Sequence, residues 1–275
     1  MTYKAAARRS ALYLPANRES AVAKARTLAA DCVILDLEDA VQPDAKDVAR
    51  AAAVAALAAG GWGAKQLLLR VNGLGTPWSA ADLAAAAGFA GVVVPKVESP
   101  ESAAAAVAAA GGVPLWAMIE TPAGVLAAPR IAAVPGVAAL LAGTNDLAKD
   151  LRCRPDAART PLLHSLSAIV LAARAAGVLA IDGVFGDIGD AAGFIAEAEQ
   201  GRMLGFDGKS LIHPAQVDPC NRVFSPSDAE VATARGLIAA YEAGLAAGRG
   251  VTTFEGLMVE ALHVEAARRV LDAAG

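Results

Sequence analysis

The stretch Pro114-Leu-Trp-Ala-Met-Ile-Glu-Thr-Pro-Ala-Gly124 decides how the chain is read. Leu115 to Ile119 is an apolar run of strand length. It stops at a carboxylate, Glu120, and Thr121, Pro122 and Gly124 then open a loop. The arrangement returns further on: Val137 to Ala142 is apolar and ends in Gly143-Thr-Asn-Asp146. In a parallel barrel the ends of successive strands lie on one rim, where active sites gather. Two oxygen ligands there, with no Cys or His close by, suit a hard cation such as Mg²⁺.

Working outward, further strand-like runs occur at Ser10–Ala16, Cys32–Leu37, Leu67–Val71, Val92–Val97, Val178–Val184 and Arg202–Phe206. With the two above they alternate with helical segments, which predicts a (β/α)8 TIM barrel, an α/β fold. An open doubly wound sheet would place a Gly-rich turn after its first strand, and Leu14-Pro-Ala-Asn-Arg18 offers none. The 275 residues fit one such barrel, placed over residues 1–248. Gly248-Arg-Gly250 then breaks the chain, and residues 249–275 read as a C-terminal helical tail, its helix running from Phe254 to Ala274.

Composition excludes several classes. Hydrophobic residues make up 56%, much of that Ala, which favours helix. Net charge is −4 and no Lys/Arg-rich run occurs, so no nucleic-acid partner is expected. Gly, Pro or charge interrupts every long apolar stretch, so no membrane span is expected. Cys32, Cys153 and Cys220 are widely spaced and form no CxxC pair, which argues against zinc and disulfides. No apolar signal core follows Lys4, Arg8 and Arg9. A cytoplasmic location is expected.

The candidate residues gather at the C-terminal ends of the strands: Arg18, Asp36, Glu38, Asp39, Arg70, Asn72, Lys96, Glu120, Asn145, Asp146, Asp182 and Lys209. Glu120 and Asp146 are read as metal ligands, with helix capping as the alternative. The planar fork of Arg70 suits a substrate carboxylate, or a salt bridge to Asp36 or Glu38, or both. Asp36-Leu-Glu-Asp39 would orient Arg70 and water, or be an ordinary acidic loop. Asp39 is a catalytic candidate within it. Lys46, early in its helix, would pair with Asp39, meet a ligand phosphate or be a solvated lysine. Gly208-Lys-Ser210 is no P-loop, because position 203 is Met. His213 beyond it reads as structural. No GxSxG is present, which disfavours serine hydrolysis.

The motifs together resemble the citrate lyase β-subunit-like group of the HpcH/HpaI aldolase and citrate lyase family. The resemblance rests on Leu12-Tyr-Leu-Pro15, Asp36-Leu-Glu-Asp-Ala-Val41, Leu69-Arg-Val-Asn-Gly73, Val94-Pro-Lys96, Ile119 to Gly124, Gly143-Thr-Asn-Asp-Leu147 and Gly208 to Pro214. It implies a Mg²⁺-dependent barrel that cleaves a 3-hydroxy acyl-CoA of the citramalyl-, malyl- or citryl-CoA type to acetyl-CoA and a keto acid. It implies a homotrimer or hexamer. Glu120 and Asp146 match the family's metal ligands, Arg70 its carboxylate-binding arginine, and Arg18 lies where CoA binds in relatives. Gly256-Leu-Met-Val-Glu260 departs from the family's Gly-x-Met-Ile-Asp, whose Asp transfers a proton in a neighbouring subunit's site. Glu260 is thus a catalytic candidate one methylene longer. Three alternatives stay open: a malyl-CoA-type thioesterase, a free-acid pyruvate aldolase, and a non-catalytic subunit of a lyase complex.

Overall fold

A computed structural model of the chain describes residues 8–274. They fall into two compact units, divided between Asn221 and Arg222.

The first unit is a closed barrel of eight parallel strands in sequence order. They are β1 (Ser10–Pro15), β2 (Cys32–Asp36), β3 (Gln66–Arg70), β4 (Gly91–Val94), β5 (Leu115–Ile119), β6 (Val137–Ala142), β7 (Leu179–Asp182) and β8 (Gly208–Leu211). Between them run α1 (Glu19–Thr27), α2 (Lys46–Ala58), α3 (Ser79–Ala85), α4 (Pro100–Ala109), α5 (Pro122–Ala132), α6 (Thr144–Asp150), α7 (Leu163–Ala176) and α8 (Ala191–Leu204). The predicted barrel is therefore present.

Alternation along the strands builds the interior in layers. Ala11, Cys32, Ile34, Leu68, Val93, Trp116, Met118, Ala139, Leu141 and Ile181 form its apolar core, with Tyr13 packed against it. Trp116 fills the lower part, where Gly91 leaves room: a Cβ on Gly91 would lie 3.2 Å from the Trp116 ring. Continuing the same period by two residues, β2 reaches Asp36, β3 reaches Arg70, and the chain leaving β5 reaches Glu120. Strand pleating thus turns these charged groups toward the barrel mouth.

One strand lies elsewhere than the sequence suggested. Arg202 to Leu204 ends α8, and Gly205, at φ 100°, terminates that helix. The eighth strand is Gly208-Lys-Ser-Leu211, all four residues buried. Its Lys209 and Ser210 are polar, so it shows no apolar run.

The second unit comprises α10 (Asp228–Ala246), a hairpin of β9 (Thr252–Phe254) and β10 (Leu257–Val259), and α11 (Ala261–Ala274). The helix α9 (Val217–Phe224) carries the chain across the division. The boundary at residue 248 is corrected: α10 packs on α11 and on β9, so it belongs with the tail. The single tail helix from Phe254 is also corrected. Glu255 and Gly256 both adopt positive φ, 50° and 80°, the signature of a tight two-residue hairpin turn. The Phe254 ring lies against Gly236 of α10, where a Cβ would be 2.6 Å from it. Among the described residues no helix is long and apolar enough to cross a membrane.

Candidate active site

The barrel mouth holds a cavity of about 370 Å³ lined in part by Tyr13, Asp39, Arg70, Glu120, Asp146 and Ser210. Six of the candidate residues, Asp36, Asp39, Arg70, Glu120, Asn145 and Asp146, are therefore brought together.

Arg70 is held by acids. Its Nε and Nη2 donate to Asp36 Oδ1 and Oδ2 at 2.7 and 2.5 Å. Its Nη1 lies 2.9 Å from Glu38 Oε2 and 3.2 Å from Asp39 Oδ2. The salt-bridge alternative is thus realised, and Arg70 still lines the cavity. The Asp36 carboxylate also accepts from the Glu38 and Ala40 N–H groups, which folds the acidic loop around the arginine.

Glu120 does not cap the helix that follows it. Thr121 does, its Oγ1 accepting from Gly124 N–H at 3.1 Å. Glu120 is 5% exposed, and its Oε1 accepts from the Lys96 N–H at 2.9 Å. Lys96 adopts a left-handed φ of 49°, uncommon outside glycine and found at strained functional loops. Its Nζ lies 3.9 Å from Asp146 Oδ1. Asp146 sits in the first turn of α6, where the helix N-terminus favours negative charge.

Acids outnumber cations here, and titration reflects it. Burial pushes the Glu120 carboxyl up to about 8, and the Glu38 and Asp146 charges add to the shift. Burial likewise raises Glu38 to about 7, opposed by Arg70 and reinforced by Asp39 and Asp36. A buried carboxylate among like charges is relieved by a cation. Among the described residues no three His, Cys, Asp or Glu side chains are grouped to hold a metal by themselves. A two-carboxylate site leaves the remaining positions to water and ligand oxygens, the pattern Mg²⁺ favours. Glu120 and Asp146 fit that role by donor type and placement.

Other candidates lie elsewhere. The Lys46 ammonium is buried and donates to the Leu37 and Glu38 carbonyls at 2.8 and 2.7 Å, with Trp78 5.4 Å away. It pins the acidic loop from behind rather than pairing with Asp39 or facing solvent. Arg18 precedes α1 and is exposed, outside the cavity lining. Glu260 belongs to the second unit, where its N–H donates to His263 Nδ1 ahead of α11. Asn72 is held by Asp82, which accepts from both its N–H and its side-chain amide. Lys209 and Asp182 are not rim groups. Lys209 Nζ contacts Asp182 Oδ2 at 3.1 Å and Glu197 Oε1 at 2.7 Å, and Arg159 binds the same Asp182 at 2.8 Å. His213 caps the short helical turn after β8, as expected of a structural residue. Burial pushes the Cys32 and Cys220 thiols up to about 12, so neither is a nucleophile near neutral pH.

Sequence reasoning missed Asp82, Arg159, Glu197 and Tyr13. The first three lie on helices or loops with no motif around them. Tyr13 was visible in an apolar strand and in the Leu12-Tyr-Leu-Pro15 motif, neither of which gave it a role.

Residues 9–214 match the family described as HpcH/HpaI aldolase/citrate lyase. The chain belongs to that family. As a member of it, the protein is an enzyme, and its relatives span more than one activity. It is 46% identical to a (3S)-malyl-CoA thioesterase of Cereibacter sphaeroides (strain KD131), over 98% of this chain and 96% of that one. It is 35% identical to citrate lyase subunit beta of Leuconostoc mesenteroides subsp. cremoris, over 96% of this chain and 92% of the other. Among solved structures it resembles the protein CitE from Mycobacterium tuberculosis in complex with magnesium, acetoacetate and coenzyme A. That likeness has a TM-score of 0.84 at 34% identity, covering 98% of this chain and 99% of the other. The family match lies within the first compact unit, and the likeness to these relatives spans both.

Proposed function

We propose that this enzyme acts on the CoA thioester of a short hydroxy-dicarboxylic acid of the malyl-CoA type and hydrolyses the thioester. The observation that carries the substrate class is the cavity itself. It sets two carboxylates, the buried Glu120 and the half-buried Asp146, beside an arginine held in place by Asp36. The 46% likeness to malyl-CoA thioesterases supports hydrolysis as the reaction.

In this reading Glu120 and Asp146 hold Mg²⁺, which when bound supplies Lewis-acid polarisation of substrate oxygens. Arg70, kept rigid by Asp36, Glu38 and Asp39, attracts the free carboxylate of the acyl group. Asp39 positions Arg70 at the cavity edge. Arg18 meets the CoA moiety, and Glu260 handles the proton assigned to the family's aspartate. Water adds to the thioester carbonyl carbon, the C–S bond breaks, and CoA leaves as its thiol after taking a proton. A homotrimer or hexamer in the cytoplasm completes the proposal.

The second reading is carbon–carbon cleavage to acetyl-CoA and a keto acid. The family relationship and the 35% likeness to citrate lyase subunit beta favour it. A product assay separates the two. Malyl-, citramalyl- and citryl-CoA are given to the protein with Mg²⁺ or with EDTA, and every CoA species and acid is followed by mass spectrometry. Free CoA with intact hydroxy acid, lost in Glu120→Gln and in Arg70→Met, is the expected result. Acetyl-CoA with a keto acid moves the assignment to the lyase, and turnover of no ester removes both.

A further inference from the structure

Tyr13 is the fourth residue of β1 and lines the cavity below Arg70. The Arg70 guanidinium carbon lies 4.9 Å from the centre of its ring, a cation–π contact. The Tyr13 hydroxyl oxygen is buried, and it has no hydrogen-bond partner among the described residues. Buried polar groups are almost always paired, so an orphan calls for an explanation. Trp116 Nε1 is equally unpaired, but Trp116 does not line the cavity, so a ligand there cannot reach it directly. Only the Tyr13 orphan belongs to a cavity wall.

Arg70 supplies a second, independent reason. A guanidinium has five N–H donors. Nε and one Nη2 N–H are committed to Asp36, and Nη1 faces Glu38 and Asp39. One N–H, on Nη2, is left for a ligand. A carboxylate arriving beside Arg70 therefore cannot be gripped by the usual two-pronged fork unless an acid lets go. It needs another donor close by, and the phenol whose ring stacks on Arg70 is one.

We infer that the Tyr13 hydroxyl is a substrate-binding and specificity-determining group, donating a hydrogen bond to an oxygen of the hydroxy-acid moiety. The inference rests on the proposed substrate class and deepens it. Burial, with the nearby Asp36, Glu120 and Glu38 charges, holds the phenol's pKa well above its ordinary value despite Arg70. It keeps its proton at every working pH. A site that reserves a buried donor for a ligand oxygen discriminates against ligands lacking that oxygen.

The test is Tyr13→Phe, which keeps the ring under Arg70 and removes only the oxygen. Two quantities are measured on the full chain with Mg²⁺: the Tm without ligand, and calorimetric affinities for L-malate and succinate. The Tm is expected to stay level or rise, since an unpaired buried oxygen is removed. Affinity is expected to fall about 5- to 30-fold, equivalent to roughly 1–2 kcal/mol for one hydrogen bond. A fall for malate alone places the contact on the hydroxyl, and a fall for both acids places it on a carboxylate. Unchanged affinities, a lowered Tm, or a wild type that binds neither acid would each overturn the inference. Failure of the proposed function shows separately, as acids still bound while no CoA ester is turned over.

Discussion

The Glu120 side chain occupies the space that a side chain on Gly143 would fill. A Cβ built on Gly143 would press on Glu120 Cβ and lie 2.5 Å from its Oε2. Gly143 has an ordinary φ of −100°, so the requirement is for space and not for backbone freedom. The glycine that opens α6 and the acid that closes β5 are thus one construction. Gly143→Ala is expected to displace Glu120 and weaken Mg²⁺ binding on the order of 10–100-fold. Titration calorimetry checks this, and unchanged affinity would show that Glu120 does not ligate.

The raised carboxyls predict how stability responds to pH. Glu120 and Glu38 rise from 4.5 to about 8 and about 7 in the folded state. Between pH 4.5 and 8 the folded state therefore binds more protons than the unfolded one, and stability falls as pH rises. Without metal, the protein is expected to lose stability across that window, and Glu120→Gln is expected to flatten the slope. Added Mg²⁺ should restore stability most at the alkaline end, where Glu120 is ionised. Denaturant melts at pH 5, 6.5 and 8, with EDTA or Mg²⁺, give the comparison.

Lys46 separates a structural role from a ligand role. Its ammonium satisfies two buried carbonyls at the acidic loop. Lys46→Met should destabilise the fold by about 1–3 kcal/mol, the range for unpaired buried groups. CoA affinity should stay as it was. Weakened CoA binding at unchanged stability would return Lys46 to the phosphate contact that its position in the sequence allowed.

The Lys209–Asp182–Arg159 group lies behind the mouth, and all three are nearly or fully buried. Lys209 also donates to the Gly183 carbonyl at 2.6 Å, fixing the start of the segment that carries Val184 to the cavity. Removing one partner from a buried ionic group costs about 3–5 kcal/mol. Lys209→Met is expected to lose that much in urea unfolding. A near-neutral effect would mean that Arg159 alone neutralises Asp182.

Parts of this molecule were legible in the chain because they follow from local periodicity. Apolar runs ending in Asp36, Arg70 and Glu120 announced both the strands and the rim, since pleating carries the same face from core to mouth. Where burial depended on polar residues, the pattern failed. Gly208-Lys-Ser-Leu211 looked unlike a strand because its charge is neutralised by partners 27 and 12 positions away, Asp182 and Glu197. The hairpin before α11 was overlooked for a different reason: its strands are three residues each, Thr252–Phe254 and Leu257–Val259, too short to show an alternation, and they run within two residues into the helix.

The sequence by itself determined the alternation of strand and helix, the acids at the strand ends and the family relationship. Only the tertiary structure decided what each charged group faces. Lys46 turns to backbone carbonyls, Arg70 to Asp36, and Lys209 to Asp182 and Glu197, while the Tyr13 hydroxyl is left without a partner. Periodicity fixes the face on which a side chain emerges. Partners come from strands, loops and helices remote in sequence, and they meet only when the barrel closes.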